Sequence, residues 1–287
     1  MSIRELPKIN AFEAIPGVEF TPEDDALARW NPAIAAASEG DANVISIYDV
    51  IGDDIFGEGV TSKRVAAALR RIGSQDVTVN INSPGGDFFE GLAIYNLLRD
   101  HPHAVTVKVM GLAASAASVI AMAGDRILVP DAGFLMVHRA WGLAIGNQNE
   151  LRQVADMLAP FDDAMATIYS KRAGVEKSAA EQWIDAETWF NGAQAVDAGL
   201  ADAVLDEGEM TETDSANARA MASVRKIDIL MARGGLPRSE RRQMLNDIKG
   251  RTHDAAADPG TPSAAPDATH DAGEIVAGIR SLIDTLK

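Results

Sequence analysis

The chain has no cysteine in 287 residues and only five histidines, so few groups can act as nucleophile or base near neutral pH. Ser115 follows the β-branched run Val105–Met110 and the short turn Gly111-Leu112-Ala113-Ala114, and it opens a helix. A serine placed there lies among unpaired N–H groups at the positive end of a helix dipole. That setting favours an oxyanion developing on an acyl substrate. His138 closes the apolar strand Phe134–Val137 and is the histidine best placed to partner Ser115. His101 and His103 flank Pro102 at a helix-to-strand turn and read as solvated loop residues, while His253 and His270 fall in a polar tail. Ser118, one turn beyond Ser115, is expected to be buried, and Ser83, before Pro84-Gly85-Gly86, to shape a turn. Adjacent glycines let the backbone approach a ligand and expose its N–H groups. Taken singly, these residues describe an ordinary N-cap, a rim histidine and a turn.

Several chemistries are excluded outright. Without cysteine there are no disulfides, thiol nucleophiles or thiolate zinc sites. No Gly-x-x-x-x-Gly-Lys-Ser/Thr occurs, and Gly57–Lys63 is only superficially similar to a phosphate loop. A net charge of −16 argues against nucleic acid as a partner, since phosphate binding needs Lys and Arg. The most apolar stretch, Gly111–Gly124, is too short for a bilayer core of about 30 Å, and the start lacks a signal-peptide core. The reading is therefore a soluble intracellular protein without a membrane partner.

The elements that must position these residues alternate. Val44–Val50 has a period of two, and Thr61 can cap a helix carrying Val65, Ala68, Leu69 and Ile72. Val77–Ile81 is a strand, Phe88 to about Asp100 a helix, and Val105–Met110 a strand before the small-residue helix. Ile127–Val129 and Phe134–Val137 are short strands, and a long helix runs from about Asn147 to Arg172. Strands alternating with helices predict an α/β fold with a largely parallel sheet. Sites in such sheets gather at the carboxyl ends of the strands, where both glycine breaks fall. Residues 1–42, rich in proline, form an arm with a short helix near Asp24–Trp30, and 43–206 form the main domain. The extension 207–287 is read as partly helical (216–232, 238–249 and 274–286) and partly disordered, with low-complexity Ala/Pro/Asp sequence at 254–273.

Four segments occur in a telling order: Ile81–Gly86 (INSPGG), Met110–Ser115 (MGLAAS), Leu135–His138 (LMVH) and Gln194–Asp202 (QAVDAGLAD). On these residues, the chain from about 43 to 206 resembles the Clp-type serine peptidase family, the proteolytic subunit of the ATP-dependent Clp protease and its phage relatives. The resemblance implies a ClpP/crotonase-like fold with Ser115 as nucleophile and His138 as general base. It also implies an oxyanion hole from the N–H groups of Gly86 and Ala116. Counting back from Gln194–Asp202 places Glu187 where the family carries its acid, with Asp185 as a competing carboxylate. No metal or organic cofactor is implied.

The arm, the loop sequence Ile47–Asp53 and the long extension look like the Clp-related head maturation proteases of tailed phages and prophages. That resemblance implies a ring-forming homo-oligomer in the host cytoplasm, inside an assembling procapsid, cutting capsid scaffold or coat precursors. The alternatives are a cellular Clp subunit served by a separate ATPase and a non-catalytic capsid scaffold. Crotonase-like thioester chemistry would not use a serine–histidine pair, and a Ser–Lys dyad would require Lys108 or Lys171 beside Ser115.

Overall fold

The computed structural model describes residues 20–37, 43–53, 59–142, 144–212 and 216–254. The helix expected at 274–286 and the low-complexity stretch from 255 onward lie outside these residues. Apolar residues on alternate positions build the central strands β2 (Val44–Ile47), β3 (Val77–Ser83), β4 (Val105–Ala114), β5 (Arg126–Val129) and β8 (Ala203–Val204). They pair in the order β2-β3-β4-β5-β8, all parallel. β6 (Phe134–Val137) pairs parallel with β4, and β7 (Thr188–Asn191) pairs antiparallel with β6. Val77, Val79, Ile81, Val105, Val107 and Val109 point into one core and are almost wholly buried. Each such side chain contributes about 1.5–3 kcal/mol of transfer free energy.

Helices cover that core face. They are α2 (Ser62–Ile72), α3 (Phe88–Arg99), α4 (Ala116–Ala121), α5 (Gln148–Ala173), α6 (Lys177–Asp185) and α7 (Gly192–Asp197). Their starts are fixed by side-chain caps. Thr61 accepts from Arg64 N, Asp87 accepts from Phe89 N and Glu90 N, and Asn147 forms a capping box with Glu150. Arg172 of α5, buried, bonds Gly124 O and Asp202, and Asp202 accepts from Ile127 N. Arginine and carboxylate thereby satisfy backbone groups at the ends of three elements.

One expectation is corrected here. Gly111–Ala114 is not a turn but the second half of β4, because Leu112, Ala113 and Ala114 find partners in Phe134, Leu135 and Met136. β4 meets β5 through Thr106–Lys108 and β6 through Leu112–Ala114.

The opposite face of β3 and β4 is roofed by the arm. It carries α1 (Asp24–Arg29) and β1 (Ile34–Ala36), and β1 pairs antiparallel with β9 (Met210–Glu212). Asn82, wholly buried on β3, ties this roof down: its Nδ2 donates to Asn31 O (2.7 Å) and Ile34 O (2.9 Å). The Trp30 indole N–H donates to Asn82 O at 3.0 Å. Arg225 of α8 (Ala216–Arg233) bonds both carboxylate oxygens of Asp49. The chain divides into two compact units, 1–226 and 227–287. Among the described residues of the second, which holds the end of α8 and α9 (Arg238–Asp254), Ile229, Ala232 and Leu245 are buried.

Asn82→Ala removes the hydrogen bonds to Ile34 O and Asn31 O, of which Asn31 O keeps only the Ile34 N–H at 3.2 Å, and costs about 2 kcal/mol. A urea titration is expected to show an earlier midpoint at an unchanged slope; an unmoved midpoint would mean the arm adds nothing to stability.

Candidate active site

β4 ends at Ala114 and α4 begins at Ala116, so a single residue, Ser115, turns the chain from strand to helix. Its backbone sits at φ 54, ψ −124, a region that costs a residue with a Cβ on the order of 1–3 kcal/mol. A strained strand-to-helix turn of this kind presents the side-chain oxygen clear of the backbone. Ser115 N–H donates to Met136 O at 3.0 Å, lashing the turn to β6. The first residue beyond β6 is His138, and its Nε2 lies 2.7 Å from Ser115 Oγ. Residues separated by a helix and two strands are thus in hydrogen-bonding contact.

The glycine loop closes against the same turn. Gly85 has φ +90, and a Cβ there would stand 2.7 Å from the Ser115 Cβ. Gly86 has φ +142, and its Cβ would strike Ile51 O at 2.2 Å. Ile51 N–H donates to Gly85 O, and Ile51 O accepts from Asp87 N–H. In a parallel bridge of this form, the N–H of Gly86 points away from Ile51. Ala116 supplies the first N–H of α4, which has no intrahelical acceptor. Ser83 Oγ donates to Asp49 O (2.6 Å) and accepts from Gly85 N–H (3.2 Å), bracing the loop.

Burial pushes the His138 imidazole down from 6.5 to about 4, because desolvation disfavours its charged form; the Asp162 carboxylate partly offsets this. Among the described residues, no hydrogen bond reaches His138 Nδ1. Asp162, on α5, accepts from Arg139 Nη1 and from Ala140 N–H, each at 2.7 Å, and so holds the two residues that follow His138.

The two carboxylates expected as candidates go different ways. Asp185 pairs with Arg139 at 2.5 Å. Glu187 stands at φ 49 directly before Thr188, which pairs with Val137, so the antiparallel register sets Glu187 across from His138. The structure does not bring the Glu187 carboxylate into a hydrogen bond with the imidazole. Burial, followed by the charge of Glu23, raises its pKa, and the Trp189 indole and Arg29 act in the opposite direction. Arg29 itself lies over the Trp189 ring, 4.5 Å from its centroid.

A family model described as Clp protease matches residues 42–208. The chain belongs to the Clp protease family. It is accordingly a serine-type peptidase. It is similar to ATP-dependent Clp protease proteolytic subunit 1 of Streptomyces avermitilis, 28% identical over 62% of this chain and 89% of the relative. The same subunit of Prochlorococcus marinus is 28% identical over 61% of this chain and 96% of its own. That of Chlamydia abortus is 30% identical over 52% and 84%. Among solved structures, a mutant of the Clp proteolytic subunit 1 from Listeria monocytogenes is 19% identical with a TM-score of 0.46, covering 58% of this chain and 92% of that one.

On the periphery the lysines stay away from Ser115, as a serine–histidine pair requires, and one expectation changes. Lys108 pairs with Glu209, away from Ser115, and Lys171 is exposed. His101 is not a solvated loop residue: it is buried, and its Nε2 lies 2.7 Å from Gln75 O. Asp162 was not marked by any motif; it is one of two adjacent aspartates in a long helix, and only the fold shows which of them meets the loop after β6. Among the described residues no cluster of His, Asp and Glu could hold a metal ion, and no helix is long and apolar enough to cross a membrane.

Because kcat/KM reports the ionisation of the free enzyme, its acidic limb is expected near pH 4 rather than near 6.5. Asp162→Asn removes the negative charge that favours the imidazolium, so the limb moves to still lower pH. An NMR titration placing the free-enzyme imidazole at 6.5 or above would contradict this burial argument.

Proposed function

We propose that the chain is an endopeptidase that cleaves protein substrates through an acyl-enzyme, with Ser115 as nucleophile and His138 as general base. The single observation that carries the assignment is the 2.7 Å contact between Ser115 Oγ and His138 Nε2. With the imidazole proton on Nδ1, Ser115 O–H donates to Nε2 and loses its proton there as Oγ adds to the peptide carbonyl. The carbonyl electron pair moves onto oxygen and is held by the N–H groups of Gly86 and Ala116, each such donor being worth about 3–4 kcal/mol. The imidazolium returns the proton to the leaving amine as the C–N bond breaks. Water repeats the sequence on the ester and frees Ser115.

Glu187 is assigned as the acid that stabilises the imidazolium, supported by its register position opposite His138. Asp185 is disfavoured by its pairing with Arg139. Glu187 reaches Nδ1 once substrate occupies the cleft, so the acidic limb of kcat, which reports the complex, lies at higher pH than that of kcat/KM. We assign the peptidase domain to 43–206, the arm to 1–42 and the extension to 207–287.

For biological context we favour capsid maturation: cleavage of scaffold or coat precursors by a ring-forming homo-oligomer within a procapsid in the host cytoplasm. The length of this chain beyond the family match supports this reading, since the curated relatives are covered over 89% and 96% of their own length by only 62% and 61% of this chain. The names of those relatives support a second reading, a cellular proteolytic subunit dependent on a separate ATPase.

A fluorophosphonate probe is expected to label the wild type and not Ser115→Ala, with thermal unfolding unchanged; equal labelling would refute the nucleophile. Glu187→Gln is expected to lower kcat by about 100-fold or more and Asp185→Asn by less than about threefold, measured on a fluorogenic peptide. Cleavage of capsid precursor by the purified chain without ATP separates capsid maturation from the ATPase-dependent reading.

A further inference from the structure

The Ser115 carbonyl and the Ala116 N–H are the two ends of one peptide unit, so whatever grips the oxygen also aims the hydrogen. That oxygen accepts from Ser118 Oγ at 2.6 Å, in addition to the backbone N–H groups of Ser118 (2.9 Å) and Val119 (3.2 Å). Ser118 Oγ lies 2.8 Å from the hydroxyl of Tyr169 on α5. Both side chains are wholly buried. A serine hydroxyl has one proton. Since Ser118 donates it to Ser115 O, the proton between Ser118 and Tyr169 must come from the tyrosine. The order of donors is therefore fixed: Tyr169 O–H to Ser118 Oγ, and Ser118 O–H to Ser115 C=O.

We infer that Ser118 and Tyr169 are positioning residues for the oxyanion hole, holding the Ser115–Ala116 peptide plane so that the Ala116 N–H faces the developing oxyanion. Two physical effects act together. The two helical N–H groups already hold this plane at a residue whose backbone is strained, and a short, directed third hydrogen bond on its carbonyl stiffens it further against tilt. Each bond also polarises the next in a low-dielectric interior, so a carbonyl that accepts strongly leaves its N–H a better donor. Burial pushes the Tyr169 hydroxyl pKa upward, which keeps it a donor across the working pH range. Serine back-bonding within a helix is common by itself; what sets this case apart is a second buried hydroxyl directing the bond onto the nucleophile's own carbonyl. The inference rests on the proposed role of Ser115.

The test uses the full chain with Ser118→Ala, Tyr169→Phe and the double variant. A fluorogenic peptide gives kcat and KM, and a peptide boronate, whose tetrahedral adduct occupies the oxyanion hole, gives Ki. Ser118→Ala is expected to lower kcat about 10–30-fold, less than outright loss of an oxyanion donor, and Tyr169→Phe about 3–10-fold. KM stays within about twofold, boronate affinity falls in step with kcat, and the acidic limb of the pH profile does not move. The double variant is no worse than Ser118→Ala alone, because Tyr169 acts through Ser118. Unchanged kcat and Ki in both variants, losses confined to KM, or collapse of the thermal midpoint would assign the pair to core packing and overturn the inference while leaving the peptidase reading intact. A wild type that neither hydrolyses peptide nor takes up a fluorophosphonate removes both.

Discussion

β4 hydrogen-bonds β5 through Thr106–Lys108 and β6 through Leu112–Ala114, and this change of partner brings a hydroxyl and an imidazole together. Had the strand stopped where β5 leaves it, β6 would have had no edge to join and His138 no fixed position. Because it continues, Ser115 N–H reaches Met136 O and the turn is held from the same strand that delivers the histidine. The strain at Ser115 is tolerated because hydrogen bonds on both sides of the residue over-determine its conformation. Gly85 completes the arrangement, since a side chain there would collide with the Ser115 Cβ and force the loop away.

The elements packed around this junction hold it in place. α3 and α4 approach so closely at Gly91 that a Cβ would stand 2.9 Å from that of Ala116, which fixes the first turn of α4 against its neighbour. On the opposite face the arm is anchored through Asn82, a residue of the same strand that ends in Ser83 and the glycine loop. Arm, glycine loop and nucleophile turn are thus connected through β3 and β4. Surface ion pairs such as Lys177–Asp163 add little by comparison, because exposed charges remain solvated.

Much of this was legible along the chain, and the exceptions have identifiable causes. β3 and the first half of β4 are dense in β-branched residues, and α3 and α5 carry apolar periods with proper caps, so local pattern and tertiary environment agree. Gly111-Leu112-Ala113-Ala114 has the composition of a turn; its extended form depends on β6, more than twenty residues later, and no local signal records that. His101 shows the same limit, since Pro102 marks the turn correctly while burial depends on Gln75 across the layer. The proximity of Ser115 and His138 could be anticipated only from the order of four motifs. The partners of Glu187 were not legible at all, because they come from the arm and from β7.

The state of Glu187 follows from the electrostatics of an idle imidazole. A neutral buried histidine needs little at Nδ1, and its low pKa is the mark of a site that holds no positive charge at rest. During acylation the same ring must become cationic, and a buried cation without a partner is costly. The resting Glu187 carboxylate is partly desolvated and close to Glu23 and Asp25, which outweigh the favourable Trp189 indole and Arg29. On the proposed assignment, a Glu187 brought to Nδ1 in the substrate complex supplies a partner to the cation as it forms and moves away from its like-charged neighbours. On this assignment the acid acts in the transition state rather than in the free enzyme, the condition under which a contact raises kcat rather than merely tightening binding.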